Sequence, residues 1–141
     1  MADTAKRPRP GENMKLTDAL GYRLPPAGLV SILHRISGLL MFVLLPFIIW
    51  MFDTSLTSEI TYSQFTSVFS GGAGFVPGWF FKLTALALIW AYLHHLLAGL
   101  RHLWMDATHA VTLQFGRSSA IFTLAVSVVL TLALGAKLFF F

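Results

Sequence analysis

Two short runs carry most of the side chains in this chain suited to chemistry: SILHRISG, from Ser31 to Gly38, and HHLLAGLRHLWMD, from His94 to Asp106. Both lie in or at the edge of apolar stretches long enough to cross a bilayer. A charged side chain near the centre of hydrocarbon costs about 3 kcal/mol or more, so Arg or Asp there usually faces a protein interior, a cavity or a ligand. Ser31 and Arg35 are spaced i, i+4 and share a helix face, with His34 beside them. His95, Gly99 and His102 follow i, i+4, i+7, one stripe of a second helix. A glycine between two histidines leaves a bare backbone patch against which a flat, wide ligand fits. His94 points about 100° away from His95 and belongs to a different environment. Imidazoles ligate metals, and a guanidinium at this depth needs an anion or several acceptors. The set describes a buried polar ligand held between helices.

Each residue also has a plainer use. His94 reads as a packing histidine hydrogen-bonded to a neighbouring helix. Gly99 suits close helix packing as well as it suits a ligand face. Arg101 lies near the membrane boundary and is expected to snorkel to it, and His109 is expected in a solvated loop. His95 reads either as a metal ligand or as a packing histidine, because a six-coordinate haem needs a second axial residue whose source the sequence does not show.

Composition sets the frame for these residues. Of 141 residues, 56% are hydrophobic and 11% charged, against about a quarter charged in an ordinary soluble domain. The chain is therefore an integral membrane protein of all-α class. Cysteine is absent, which excludes disulfides, thiolate metal sites, cysteine-bound iron–sulfur clusters and covalent haem attachment through this chain. The formal charge of +4 is not a nucleic-acid signature. Lys6, Arg7, Arg9, Lys15 and Arg23 precede the first hydrophobic run, as in a cytoplasmic flank beside a membrane. No cleavable signal peptide is expected, because the first apolar run is long and contains His34 and Arg35.

The elements that must position the two runs follow from hydropathy and proline. Residues 1–26 read as a polar cytoplasmic tail, with a short surface helix around Lys15 to Tyr22. Residues 27–141 read as a transmembrane domain of three helices, at about 27–52, 78–105 and 119–140. Pro25 and Pro26 start the first helix, since proline is tolerated in a first turn. Pro46 predicts a kink within it. Residues 53–77 read as a loop with a flexible glycine-rich end, and Asp106 to Ser118 as a short polar connection. The first loop carries no Lys or Arg, whereas the tail and second connection do, which places the N-terminus in the cytoplasm. On that layout Arg35 lies about 10 Å below the cytoplasmic boundary, between His102 at about 5 Å and His95 at about 15 Å.

The two runs together resemble the cytochrome b subunit family of succinate dehydrogenase, the larger of two small membrane anchors of respiratory complex II. SxxHRxSG followed some 60 residues later by HxxxGxRHxxxD carries the resemblance, supported by the three-helix layout and the basic, proline-containing tail. The resemblance implies that His95, four residues before Gly99, is the axial ligand to the iron of a haem b, with a histidine of the second small anchor subunit on the other side. It implies that Ser31 and Arg35, with Asp106 supplying protons, line a ubiquinone site, and that His34, Arg35 and His102 meet haem propionates. The partners implied are that second anchor, an iron–sulfur subunit, a flavoprotein subunit and the lipid bilayer; nucleic acid is not among them. The location implied is a bacterial inner membrane, or the mitochondrial inner membrane. The function expected is that of an anchor passing electrons from succinate to quinone, without dehydrogenase activity of its own. The alternatives are a quinol:fumarate reductase anchor, a cofactor-free structural anchor, and a small transporter or channel lined by the polar cluster.

Overall fold

The computed structural model describes residues 24–140. The polar tail ahead of residue 24, including the expected helix at Lys15 to Tyr22, lies outside the described residues. Five helices follow: α1 (Pro26–Val43), α2 (Leu45–Leu56), α3 (Glu59–Gly71), α4 (Gly78–Thr108) and α5 (Leu113–Phe140). Among the described residues α1, α4 and α5 are long and apolar enough to cross a membrane.

Pro25 caps α1 in an extended conformation and Pro26 occupies its first turn, where a missing N–H costs nothing. Pro46 acts twenty residues further along. It removes a backbone donor and crowds the carbonyl four residues back, and the helix breaks at Leu44, with φ −88° and ψ 6°. The bonds Leu44 N–H to Leu40 C=O and Ile48 N–H to Leu44 C=O, both 3.0 Å, bracket the break. The expected single helix 27–52 is thus two helices, the second running to Leu56.

The expected loop at 53–77 is corrected, because about half of it is α3. The local cause is a capping box. Thr61 N–H donates to Ser58 Oγ at 3.2 Å and Ser58 N–H donates to Thr61 Oγ1 at 3.0 Å, satisfying two of the donors a helix start leaves open. Glu59 in the first turn adds a favourable dipole interaction. The glycine-rich end of the loop is a specific turn. Gly72 has φ 89°, and a Cβ there would run into the Val76 carbonyl. The turn closes with Ala73 and Val76 exchanging backbone hydrogen bonds at 2.9 and 3.0 Å. It delivers Gly78, the first residue of α4, onto the end of α3, where a Cβ would come 2.7 Å from the Phe69 carbonyl oxygen. Phe47, Trp50, Phe65, Phe69 and Phe81 form a chain of ring contacts that joins α2, α3 and α4 at this end.

The second connection is also shorter than expected. α4 continues to Thr108, and His109 ends it in the left-handed conformation, φ 52°. α5 begins at Leu113, with Thr112 Oγ1 accepting from Phe115 N–H at 3.3 Å. Four residues, 109–112, remain as the turn.

α4 is the central element, packed against α1 on one side and α5 on another, and α1 also touches α5. Its seam with α5 is built from small and polar residues. Ala120, Thr123, Ser127, Thr131 and Gly135 are the buried residues of α5, facing Leu88, Ala91, His94, Ala98 and Arg101 buried on α4. In lipid no hydrophobic gain distinguishes a helix partner from acyl chains, so small side chains that let backbones approach, and hydrogen bonds across the seam, hold the helices together. The large apolar side chains, such as Leu39, Phe42, Phe122 and Val129, remain on the outside.

Candidate functional site

The rotation of α4 is set by two adjacent histidines that face different helices. His94 is fully buried, with Nδ1 3.3 Å from Ser127 Oγ on α5 and its ring stacked on Trp90 at 5.5 Å. About 100° further round the helix, His95 faces α1. Its Nδ1 lies 3.1 Å from the His34 carbonyl oxygen and 3.2 Å from Ser37 Oγ. The His34 ring stacks on the His95 ring at 4.1 Å with 28° between planes, and His102 flanks His34 at 5.5 Å. His34, His95 and His102 therefore form one imidazole cluster on the α1–α4 seam. Gly99 sits beneath it, and a Cβ there would come 3.8 Å from His34 Nε2. The backbone patch left bare by Gly99 is where His34 lies.

The contacts of His95 fit a metal-bound imidazole. A carbonyl oxygen only accepts, so the 3.1 Å contact requires the proton on Nδ1. The lone pair is then on Nε2, the atom available to a metal. An imidazole N–H held by a backbone carbonyl is the usual outer partner of such a ligand. The space for the ring is made by Gly38, where a Cβ would stand 3.0 Å from His95 Cε1 and 3.4 Å from Nδ1. Among the described residues, no group of three or more His, Asp or Glu side chains is arranged to hold a metal ion. This donor set suits a cofactor that brings most of its own ligands.

The remaining expected site residues lie around this cluster. Ser31 is half-buried one turn before Arg35 on α1; Arg35, His102 and Asp106 are exposed in the isolated chain. The hydrogen bonds described between α1 and α4 run through His34, Ser37 and His95 rather than through Arg35 or Asp106. Arg101 departs from expectation. It does not snorkel: only 8% exposed, it donates from Nε to Ser119 Oγ at 2.9 Å and from Nη2 to the Gly116 carbonyl at 3.1 Å. The four-residue turn after α4 brings those acceptors to the same level as the guanidinium. Its short reach was hidden from sequence by the late start assigned to α5.

Ser37 was not singled out from sequence, yet it is fully buried and touches the nitrogen of His95. A signal was present: Ser37 stands three residues after His34, on the same helix face, inside the SxxHRxSG run.

Known proteins supply an independent line. Residues 9–134 match the family described as Succinate dehydrogenase/Fumarate reductase transmembrane subunit. A succinate dehydrogenase cytochrome b556 subunit of Paracoccus denitrificans is 33% identical over 109 residues, 77% of this chain and 78% of that protein. Another, from Coxiella burnetii (strain RSA 493 / Nine Mile phase I), is 32% identical over 123 residues, 87% of this chain and 89% of that one. With three apolar helices of spanning length and a match across most of its length, this chain belongs to the succinate dehydrogenase/fumarate reductase transmembrane subunit family.

Proposed function

We propose that this chain is the cytochrome b anchor of a succinate:quinone oxidoreductase, with His95 as one axial ligand of a haem b shared with a second small anchor subunit. The observation that carries the proposal is the His95 imidazole itself, with Nδ1 committed to the His34 carbonyl and Ser37 hydroxyl so that Nε2 is free. The names of the two relatives, cytochrome b556 subunits, support the same cofactor. A haem b held through the His95 imidazole would supply one-electron transfer.

The rest of this chain's contribution is electrostatic. Arg35, and the imidazoles of His34 and His102, are chemically suited to meet haem propionates through charge-assisted bonds. Ser31 and Arg35, one turn apart on α1, suit the two carbonyl oxygens of a ubiquinone. The serine hydroxyl donates to one oxygen, and the guanidinium stabilises the negative charge that grows there on reduction. Asp106, exposed near the end of α4, is suited to pass protons toward the reduced quinone. The positive-inside pattern supports a cytoplasmic N-terminus and a bacterial inner membrane, with the bacterial relatives in agreement. The iron–sulfur and flavoprotein subunits of the complex supply the electrons, and this chain contributes the membrane end of their path.

The test is a redox difference spectrum of the purified complex. The native complex shows a b-type alpha band on reduction, and His95→Ala abolishes it while His94→Ala keeps it. A band that survives His95→Ala refutes the axial assignment.

A further inference from the structure

We propose that Ser37 is a positioning residue for the haem ligand, acting through the His95 Nδ1 to set how strongly that imidazole donates to iron. The inference rests on His95 being the axial ligand.

The Ser37 hydroxyl donates its one hydrogen to the His34 carbonyl at 2.8 Å. That leaves its oxygen lone pairs to face the His95 Nδ1–H at 3.2 Å. The same carbonyl also takes the Nδ1–H at 3.1 Å. One N–H is therefore shared between two oxygens, and those two oxygens are themselves linked by the serine's own hydrogen bond. A hydroxyl that donates while it accepts is a more polarised acceptor than one that only accepts. Pulling on the Nδ1 proton raises electron density in the ring and makes Nε2 a stronger donor, which favours the ferric over the ferrous state.

A serine that back-bonds to the carbonyl three residues earlier is common in helices and by itself means nothing. Ser55, Ser67 and Ser70 do the same. Those hydroxyls bond only their own helix at exposed positions, whereas Ser37 is fully buried and reaches across to α4. The structure also holds a matched control. Ser127 is equally buried, back-bonds to Leu124 at 3.0 Å and meets the Nδ1 of His94 at 3.3 Å. The two pairs share their local chemistry, and only the His95 pair faces the proposed iron site.

The experiment is a potentiometric titration of the haem alpha band in the purified complex, comparing native, Ser37→Ala, Ser37→Thr and Ser127→Ala. Ser37→Ala is expected to shift the ferric-to-ferrous ratio at fixed poise about two- to tenfold toward ferrous, the worth of one hydrogen bond; tenfold corresponds to about 59 mV upward for a one-electron couple. Ser37→Thr, which keeps the hydroxyl, stays near the native midpoint, and so does Ser127→Ala. Loss of haem in Ser37→Ala that Ser37→Thr restores also supports the role. An unshifted midpoint in Ser37→Ala, an equal shift in Ser127→Ala, or haem loss in both Ser37 variants overturns it. Absence of a b-type band from the native complex removes the haem assignment itself and this inference with it.

Discussion

Gly38→Ala is the smallest change that should disturb the proposed iron ligand without touching it. A Cβ at residue 38 would stand 3.0 Å from His95 Cε1, where carbon atoms prefer roughly 3.5–4.0 Å. The ring must withdraw by roughly 0.5 Å. Its Nδ1 contacts, now 3.1 and 3.2 Å, would stretch to about 3.6 Å, beyond useful hydrogen-bond length. The shared N–H then loses both acceptors, and leaving such a donor unsatisfied costs about 2 kcal/mol. Replacing glycine by alanine in a helix returns about 1 kcal/mol of propensity, so the helix forms and the net penalty of about 1 kcal/mol falls on the seam between α1 and α4. That corresponds to roughly fivefold weaker retention of a group bound through His95. The assay is haem content per complex, with the alpha-band position as a second readout. Gly116→Ala is the control, because a Cβ there meets nothing within 4 Å. Native haem content and band position in Gly38→Ala would show that the seam relaxes without cost and would refute the steric reasoning.

Three further outcomes are expected. Arg101→Ala should lower the stability of the complex by about 1–3 kcal/mol, seen as an earlier thermal transition in detergent, because two charge-assisted bonds to α5 vanish; Arg101→Lys should recover only part, since an ammonium cannot fork to both acceptors. A double-mutant cycle on His94 and Ser127 should give a coupling of about 0.6 kcal/mol, the usual scale for hydrogen bonds between membrane helices, and a coupling of zero would make their 3.3 Å contact incidental. Arg35→Ala, at an exposed position, should leave stability unchanged and depress quinone reduction while dye-linked succinate oxidation persists; equal loss of both activities would count against a quinone role.

What the linear chain determined by itself was class and the grouping of polar residues by helix face. Hydropathy alone located three spans, since crossing hydrocarbon demands about twenty apolar residues whatever they pack against. Pro46 announced its break through a missing donor, and the i, i+4, i+7 stripe placed His95 and His102 on one face, with His94 on another. Helix α3 formed in an expected loop for a local reason, the capping box of Ser58 and Thr61. Two things depended on neighbours in space. Arg101 turned inward because a four-residue turn set Ser119 and Gly116 at its level. Ser37 gained its place beside His95 from the packing of α1 on α4. Periodicity states which residues share a face, but only the crossing of two helices decides which nitrogen meets which oxygen. A hydrogen bond is lost over a few tenths of an ångström, far finer than the spacing of residues along a sequence.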